Sequence, residues 1–249
     1  MSGHSKWATI KHQKGAKDKA RGKLFAKILR QVEVAAREGG GDPEANPTLR
    51  TMFQKARDAS VPMDTIDRAI KRGTGELEGV TYESITYEGY APGGVAVLVE
   101  TLTDNRNRTG AEVRALFSKH GGSIAEPGAV AWQFERKGSL LVDRAADEET
   151  LMLAVLDAGA EDLADDGEAW RVTTPPSDLH AVRSAVEGAG FAVSASDLVL
   201  VAQNNVPLDG VDAAKKVLRL IDALDEHDDV QNVYANFDIA DDVLAAVEA

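Results

Sequence analysis

The spacing of apolar residues changes period near residues 73–80, and that change limits the chain to a helical part followed by a mixed one. The segment itself holds three glycines and two glutamates and reads as a linker. Upstream of it, Leu24, Phe25, Ile28, Leu29, Val32, Ala35 and Ala36 recur at helical spacing, and Gly39-Gly40-Gly41 ends the run. Asn46-Pro47 then predicts an N-cap followed by proline at the first helical position. The helix it opens carries Leu49, Met52, Phe53 and Ala56 on one face. Val61-Pro62 opens a third helix, with Ile66, Ala69 and Ile70 inward and Gly73 as its stop. Three short amphipathic helices make a small bundle, whose thin core is expected to lean on the rest of the chain.

Downstream of the linker, helical and strand periods mix. Residues 82–87 and 95–102 predict strands, and residues 106–120 a helix with Val113, Leu116 and Phe117 inward. Residues 130–134 read as a further strand. Residues 138–202 then form a unit of their own: strand 139–142, helix 148–158, strands 161–164 and 169–173, helix 177–187 and strand 196–202. That β-α-β-β-α-β order is the split-βαβ, ferredoxin-like arrangement. A helix at 211–224 and a strand at 230–237 supply what the earlier β-β-α-β segment lacks. The expected class is therefore α+β and multidomain. Residues 1–79 form a basic arm and helical bundle, 80–136 plus 204–240 a discontinuous middle α+β domain, and 137–203 a ferredoxin-like domain inserted into it.

The net charge of −13 conceals two opposite halves. Residues 1–80 hold 16 Lys/Arg against 10 Asp/Glu, whereas residues 81–249 hold 12 against 31. Nine cations lie within the first 30 residues: Lys6, Lys11, Lys14, Lys17, Lys19, Arg21, Lys23, Lys27 and Arg30, against the single Asp18. A concentrated basic end can bind a polyanion while an acidic body disfavours wholesale coating. The absence of cysteine excludes disulfides, thiolate metal sites and a cysteine nucleophile, and suits a cytoplasmic protein. No apolar stretch approaches the ~20 residues that span a bilayer, and no apolar segment follows the basic start as in a secretory signal, so no membrane partner is expected.

The basic arm is the main chemical feature. Lysines spaced along it suit phosphate backbones, because each neutralised phosphate releases condensed counterions. Trp7, His4 and His12 add π-faces on which unpaired bases stack, which favours RNA or single strands over duplex grooves. The expected nucleic-acid-binding residues are Lys6, Trp7, Lys11, His12, Lys14, Lys17, Lys19, Arg21 and Lys23. The bland alternative is a solvated charge run that aids solubility. A second candidate is the strand-to-helix junction at 104–109, where Asp104 would cap the helix and Arg106, Asn107 and Arg108 would hold a phosphate against exposed N–H groups. There the alternative is a capped helix start whose arginines pair with the acidic neighbouring domain.

Helices two and three also fit a helix-turn-helix, but the third places Asp64 and Asp67 where base edges would be met, which suits DNA poorly. The acidic run Asp225-Glu226-His227-Asp228-Asp229 reads as a solvated turn, and Asp165-Asp166-Gly167 as a hairpin turn. No dinucleotide fingerprint, Walker lysine or nucleophile elbow is present. No catalytic residue, metal, cofactor or small-molecule substrate is therefore expected.

Ser2-Gly3-His4-Ser5-Lys6-Trp7-Ala8-Thr9-Ile10-Lys11-His12, continuing through residues 17–27, resembles the YebC/PmpR family, which includes the mitochondrial translational activator of cytochrome oxidase. The likeness recurs at Gly40-Gly41-Asp42-Pro43 with Asn46-Pro47, at 68–75, 87–109 and 132–138, and in the 228–237 strand. Thr101 departs from it, standing where many members have cysteine. The resemblance implies a helical N-terminal domain followed by two α+β domains, and a cytoplasmic, non-enzymatic regulator of gene expression. Some members are described as DNA-binding transcriptional regulators. Others resemble ribosome-associated translation factors that relieve stalling on proline-rich nascent segments. Ribosomal or other RNA is thus the first expected partner, promoter DNA the alternative, and a protein-interaction role for the acidic half the third.

Overall fold

The computed structural model describes residues 18–167 and 169–248. The chain divides into two compact units, one built from Leu24–Gly79 with Arg136–Leu200 and the other from the residues through Lys23, Val80–Glu135 and the residues from Val201 onward. The first unit contains helix α1 (Asp18–Gly39) from Leu24 on, with α2 (Pro47–Asp58) and α3 (Met63–Gly73). Asn46 explains why α2 starts where it does. Its side chain accepts from the Leu49 N–H at 3.0 Å, while its Nδ2 donates to the carbonyls of Ala35 (2.8 Å) and Gly40 (2.9 Å). One cap thus satisfies the start of α2 and the end of α1 together. Ile28, Val32, Leu49, Ala56, Ile66 and Ala69 form the core between the helices. Gly73 lets α3 approach α1 closely: a Cβ there would lie 2.3 Å from the Glu33 carbonyl oxygen.

The same unit holds a four-stranded sheet of order β5-β6-β4-β7, made of β4 (Phe134–Asp143), β5 (Asp162–Asp165), β6 (Ala169–Thr174) and β7 (Val193–Ala202). Helices α5 (Glu148–Asp157) and α6 (Leu179–Gly188) bury Leu151, Val155, Val182 and Val186 against Leu140, Val142, Trp170 and Val172. Arg183 of α6 grips Asp58 of α2 with two bonds, 2.7 and 3.0 Å, and Lys55 of α2 pairs with Asp197 of β7. The helical bundle is thereby joined to this sheet region by ion pairs as well as by chain connectivity.

The second unit has a sheet of order β3-β1-β2-β9, from β1 (Glu83–Tyr90), β2 (Ala96–Thr103), β3 (Ser123–Ile124) and β9 (Val230–Ala235). Neighbouring strands are antiparallel, and β2 and β9, far apart in sequence, pair directly. Helices α4 (Arg106–Lys119) and α7 (Val211–Asp225) cover it, Val113, Phe117, Val217 and Leu220 packing on Val97, Val99 and Val233. A short parallel pair, β8 (Val206–Pro207) with β10 (Phe237–Asp238), and a last helix, α8 (Asp241–Glu248), complete it. With β2 taken as first strand, this sheet has the same spatial order as the other one, its β1 having moved to the front of the chain.

The strand expected at 130–134 is absent. Ala131–Gln133 is a 3₁₀ turn, and β4 begins at Phe134 and runs unbroken through the strand expected at 139–142. The reason is Glu88: its carboxylate accepts the N–H groups of Val130 and Ala131, so those donors cannot join a ladder. The strands β3 and β8 and helix α8 were not expected from the sequence, and the strand expected at 230–237 breaks at Asn236 into β9 and β10. Among the described residues no helix is long and apolar enough to cross a membrane.

Candidate nucleic-acid interface

Of the arm residues, Lys6, Trp7, Lys11, His12, Lys14 and Lys17 lie outside the described residues. Lys19, Arg21 and Lys23 lie in α1, Arg21 and Lys23 as exposed residues. Lys23 donates from Nζ to the Glu226 carbonyl at 3.1 Å and pairs with Asp228 at 3.2 Å.

The junction between β2 and α4 differs in detail from its expected form. Asn105, not Asp104, caps α4: its side chain accepts from the Arg108 N–H at 3.1 Å. Asp104 instead takes a hydrogen bond from the Arg108 guanidinium at 3.0 Å. The second partner of Arg108 is Asp229, 2.7 Å away, and this bond above all holds the guanidinium cationic. Asp229 is only 5% exposed, so the end of the acidic run is not the solvated turn expected from sequence. Its carboxylate also accepts from Thr109 Oγ1 at 2.7 Å, and Thr109 Oγ1 lies 2.7 Å from Thr103 Oγ1. The physical reason is accounting of burial: a carboxylate can leave water at the edge of β9 because a guanidinium and a hydroxyl meet it there. Arg106 and Asn107 are exposed beside this network.

Glu112, His227 and Asp229 bring possible metal-ligating atoms within 4.8 Å of one another. The geometry assigns those atoms to hydrogen bonds instead. His227 Nδ1 accepts the Asp229 N–H at 3.1 Å, which leaves the proton on Nε2 to meet Glu112 at 2.9 Å. With Arg108 on Asp229, the cluster already has its positive charge. Nearby, the Tyr87 hydroxyl is buried without a hydrogen-bond partner among the described residues. Burial pushes its pKa up, opposed by the field of Arg106.

A second organised feature escaped sequence reasoning. Glu88, 7% exposed, accepts the N–H groups of Gly128 (2.6 Å), Val130 (2.7 Å) and Ala131 (2.8 Å). Burial pushes its pKa up, but these three donors outweigh that and hold it below the ordinary carboxylate value. The loop so fixed presents Trp132, 67% exposed, whose Nε1–H donates to the Ala129 carbonyl at 3.1 Å. No local signal distinguishes Glu88 from an ordinary strand glutamate.

Comparison with known proteins matches two family models along the chain. A family described as "TACO1/YebC protein N-terminal domain" matches residues 5–76, and one described as "TACO1/YebC second and third domain" matches residues 82–237. A protein of Rubrobacter xylanophilus, named probable transcriptional regulatory protein, is 59% identical over 249 residues, covering 99% of both chains. One of the same name from Halothermothrix orenii is 54% identical over 250 residues, again with 99% of both chains covered. The crystal structure of a conserved hypothetical protein from Aquifex aeolicus superposes with a TM-score of 0.83 at 45% identity, covering 90% of this chain and 93% of that one.

Proposed function

This chain belongs to the TACO1/YebC family, and we propose that it is a non-enzymatic, cytoplasmic regulator that binds RNA through its basic N-terminal segment and acts on the ribosome as a translation factor. The observation that carries this reading is the charge of the first 30 residues, nine cations against one acid, with Trp7 among them. Cations of the rest are already engaged where they would matter most: Arg108 by Asp104 and Asp229, Arg183 by Asp58. A phosphate chain therefore finds concentrated positive charge at the start of the sequence and neutralised charge at the 104–109 junction, where Arg106 and Asn107 form at most an auxiliary contact. Trp7 and His12 supply stacking surfaces of the kind that unpaired bases use, worth roughly 1–3 kcal/mol per base. Relief of stalling is the specific role that the resemblance to ribosome-associated family members suggests.

A second reading, a DNA-binding transcriptional regulator, draws on the name that the relatives carry. The groove-reading element it needs fits α3 poorly, because the exposed positions of that helix alternate Asp64 and Asp67 with Arg68 and Lys71. Sedimentation through gradients at low salt tests the choice. The protein is expected in ribosomal fractions, and the Lys11, Lys14, Lys17, Lys19→Ala variant is expected in the soluble pool. For purified RNA, that variant should flatten the plot of log K against log salt by roughly 3, at about 0.7–0.9 per lost contact. A promoter footprint that survives excess RNA, with no ribosomal sedimentation, overturns the translational reading in favour of the transcriptional one.

A further inference from the structure

Helix α5 is apolar on two sides. Leu151 and Val155 face the core of its sheet, yet Met152, Leu153 and Leu156 are 37%, 65% and 55% exposed. At about 100° per residue, and counting from Glu148, Met152, Leu156, Glu149 and Leu153 fall at about 40°, 80°, 100° and 140°. Glu148 at 0° and Asp157 at about 180° flank that arc. The outward face is thus an apolar stripe with an acid on either edge and Glu149 at its N-terminal end. An ordinary surface helix carries polar residues there.

The electrostatics of the surrounding region decide what such a stripe can accept. Residues 137–203 contain four Lys/Arg against 13 Asp/Glu. All four cations have partners: Lys137 with Glu161, Arg144 with Asp165, Arg171 with Asp166, and Arg183 with Asp58 and Glu187. Arg144 also lies over the Trp170 ring, 3.8 Å from its centroid. Glu148, Glu149 and Asp157 are exposed and make no ion pair with any described residue. A nucleic acid or an anionic lipid surface would be repelled by this rim. A second copy docked face to face would set the same acids against each other.

We propose that this face of α5 docks a cationic amphipathic segment of another protein, its apolar side chains over Met152, Leu153 and Leu156 and its Lys/Arg against Glu148, Glu149 and Asp157. Met152, unbranched and polarizable, suits a surface that must adapt to its partner. The proposal does not depend on RNA binding, and a chain that binds no RNA can still satisfy it.

The test uses the full-length protein with methyl-labelled methionine and, as probe, a synthetic Leu/Lys peptide of about 18 residues, long enough to form a helix. Its companion peptides carry Gln or Glu in place of Lys. The Met152 methyl resonance is expected to move saturably with the Leu/Lys peptide while that of Met52, packed against the bundle core, stays. The Gln and Glu peptides should bind at least about tenfold more weakly, and so should the L153Q/L156Q double variant toward the Leu/Lys peptide, a tenfold change being 1.4 kcal/mol. Both leucines are exposed, so an unchanged melting temperature certifies the variant's fold. An unmoved Met152 signal, equal binding by L153Q/L156Q, or equal affinity for the Gln peptide overturns the proposal. A concentration-dependent dimer abolished by L153Q/L156Q overturns it too, by giving the face to a second copy.

Discussion

Replacing Glu88 by glutamine is the sharpest probe of how the second unit is held. The carboxylate meets three backbone donors, Gly128 on one oxygen and Val130 and Ala131 on the other. An amide can keep one oxygen for Val130 and Ala131, but then sets its own N–H2 against the Gly128 N–H. Three charge-assisted bonds become two neutral ones plus a donor–donor contact. Gly128 is exposed, so water softens that contact, and the net loss is about 2–3 kcal/mol. Native-state hydrogen exchange reads this directly: protection at the amides of Gly128, Val130 and Ala131 should fall about 30- to 150-fold in E88Q, while amides of central β2 change little.

The pH dependence supplies an independent check. The native pKa of Glu88 lies below its unfolded value, so between the two the unfolded chain binds the extra proton. The stabilisation is therefore complete above the unfolded value, about 4.3, and is lost as pH falls through the native one. Wild type and E88Q should differ by a constant amount near neutrality and converge in acid. Equal protection in the two proteins at neutral pH, or a difference that persists undiminished at about pH 3, would refute the assignment of Glu88 as the anchor of this loop.

Two further substitutions test the first unit. Gly73→Ala should destabilise by about 2–3 kcal/mol in urea titrations, because a Cβ 2.3 Å from the Glu33 carbonyl forces the helices apart and outweighs a helix-propensity gain of at most about 1 kcal/mol; a stabilised variant contradicts the close approach of α3 to α1. Arg183→Leu leaves the Asp58 carboxylate without its two bonds and should cost about 2–4 kcal/mol, and a double-mutant cycle with Asp58→Asn should show coupling above about 1.5 kcal/mol, whereas additive effects would mean the pair is incidental.

What could be read from sequence follows the range of the interactions involved. The start of α2 was legible because Asn46 and Pro47 act on their own helix within three residues. The order of elements across 138–202 was legible because turn residues separate runs of distinct period. Residues 130–134 misled because Val130, Trp132 and Phe134 alternate like a strand, while the group that bends them, Glu88, lies more than 40 residues earlier. The two-residue strands β3 and β8 have no pattern of their own and exist only through partners on β1 and β10. Asp229 was hidden for the opposite reason. Its four neighbours in the run 225–229 announce solvent, and only Arg108 and Thr109, some 120 residues upstream, make it a buried acceptor. The apolar stripe on α5 was overlooked because Met152, Leu153 and Leu156 read as ordinary core residues until the inward face was known to be Leu151 and Val155.

These placements bear on why the charge is divided along the chain. A cation held by a carboxylate must give up that partner before it can meet a phosphate, and the carboxylate left behind then repels the same phosphate. Arg72 on Glu33, Arg108 on Asp229, Arg144 on Asp165, Arg171 on Asp166 and Arg183 on Asp58 are all in that position. At physiological ionic strength the surplus acids act over about 8 Å. A polyanion that runs along the described acidic surface lies inside that distance and is disfavoured. On the proposed reading, the acidic body contributes selectivity rather than affinity: it leaves phosphate contacts to the basic segment and the proposed α5 stripe to partners of the opposite charge.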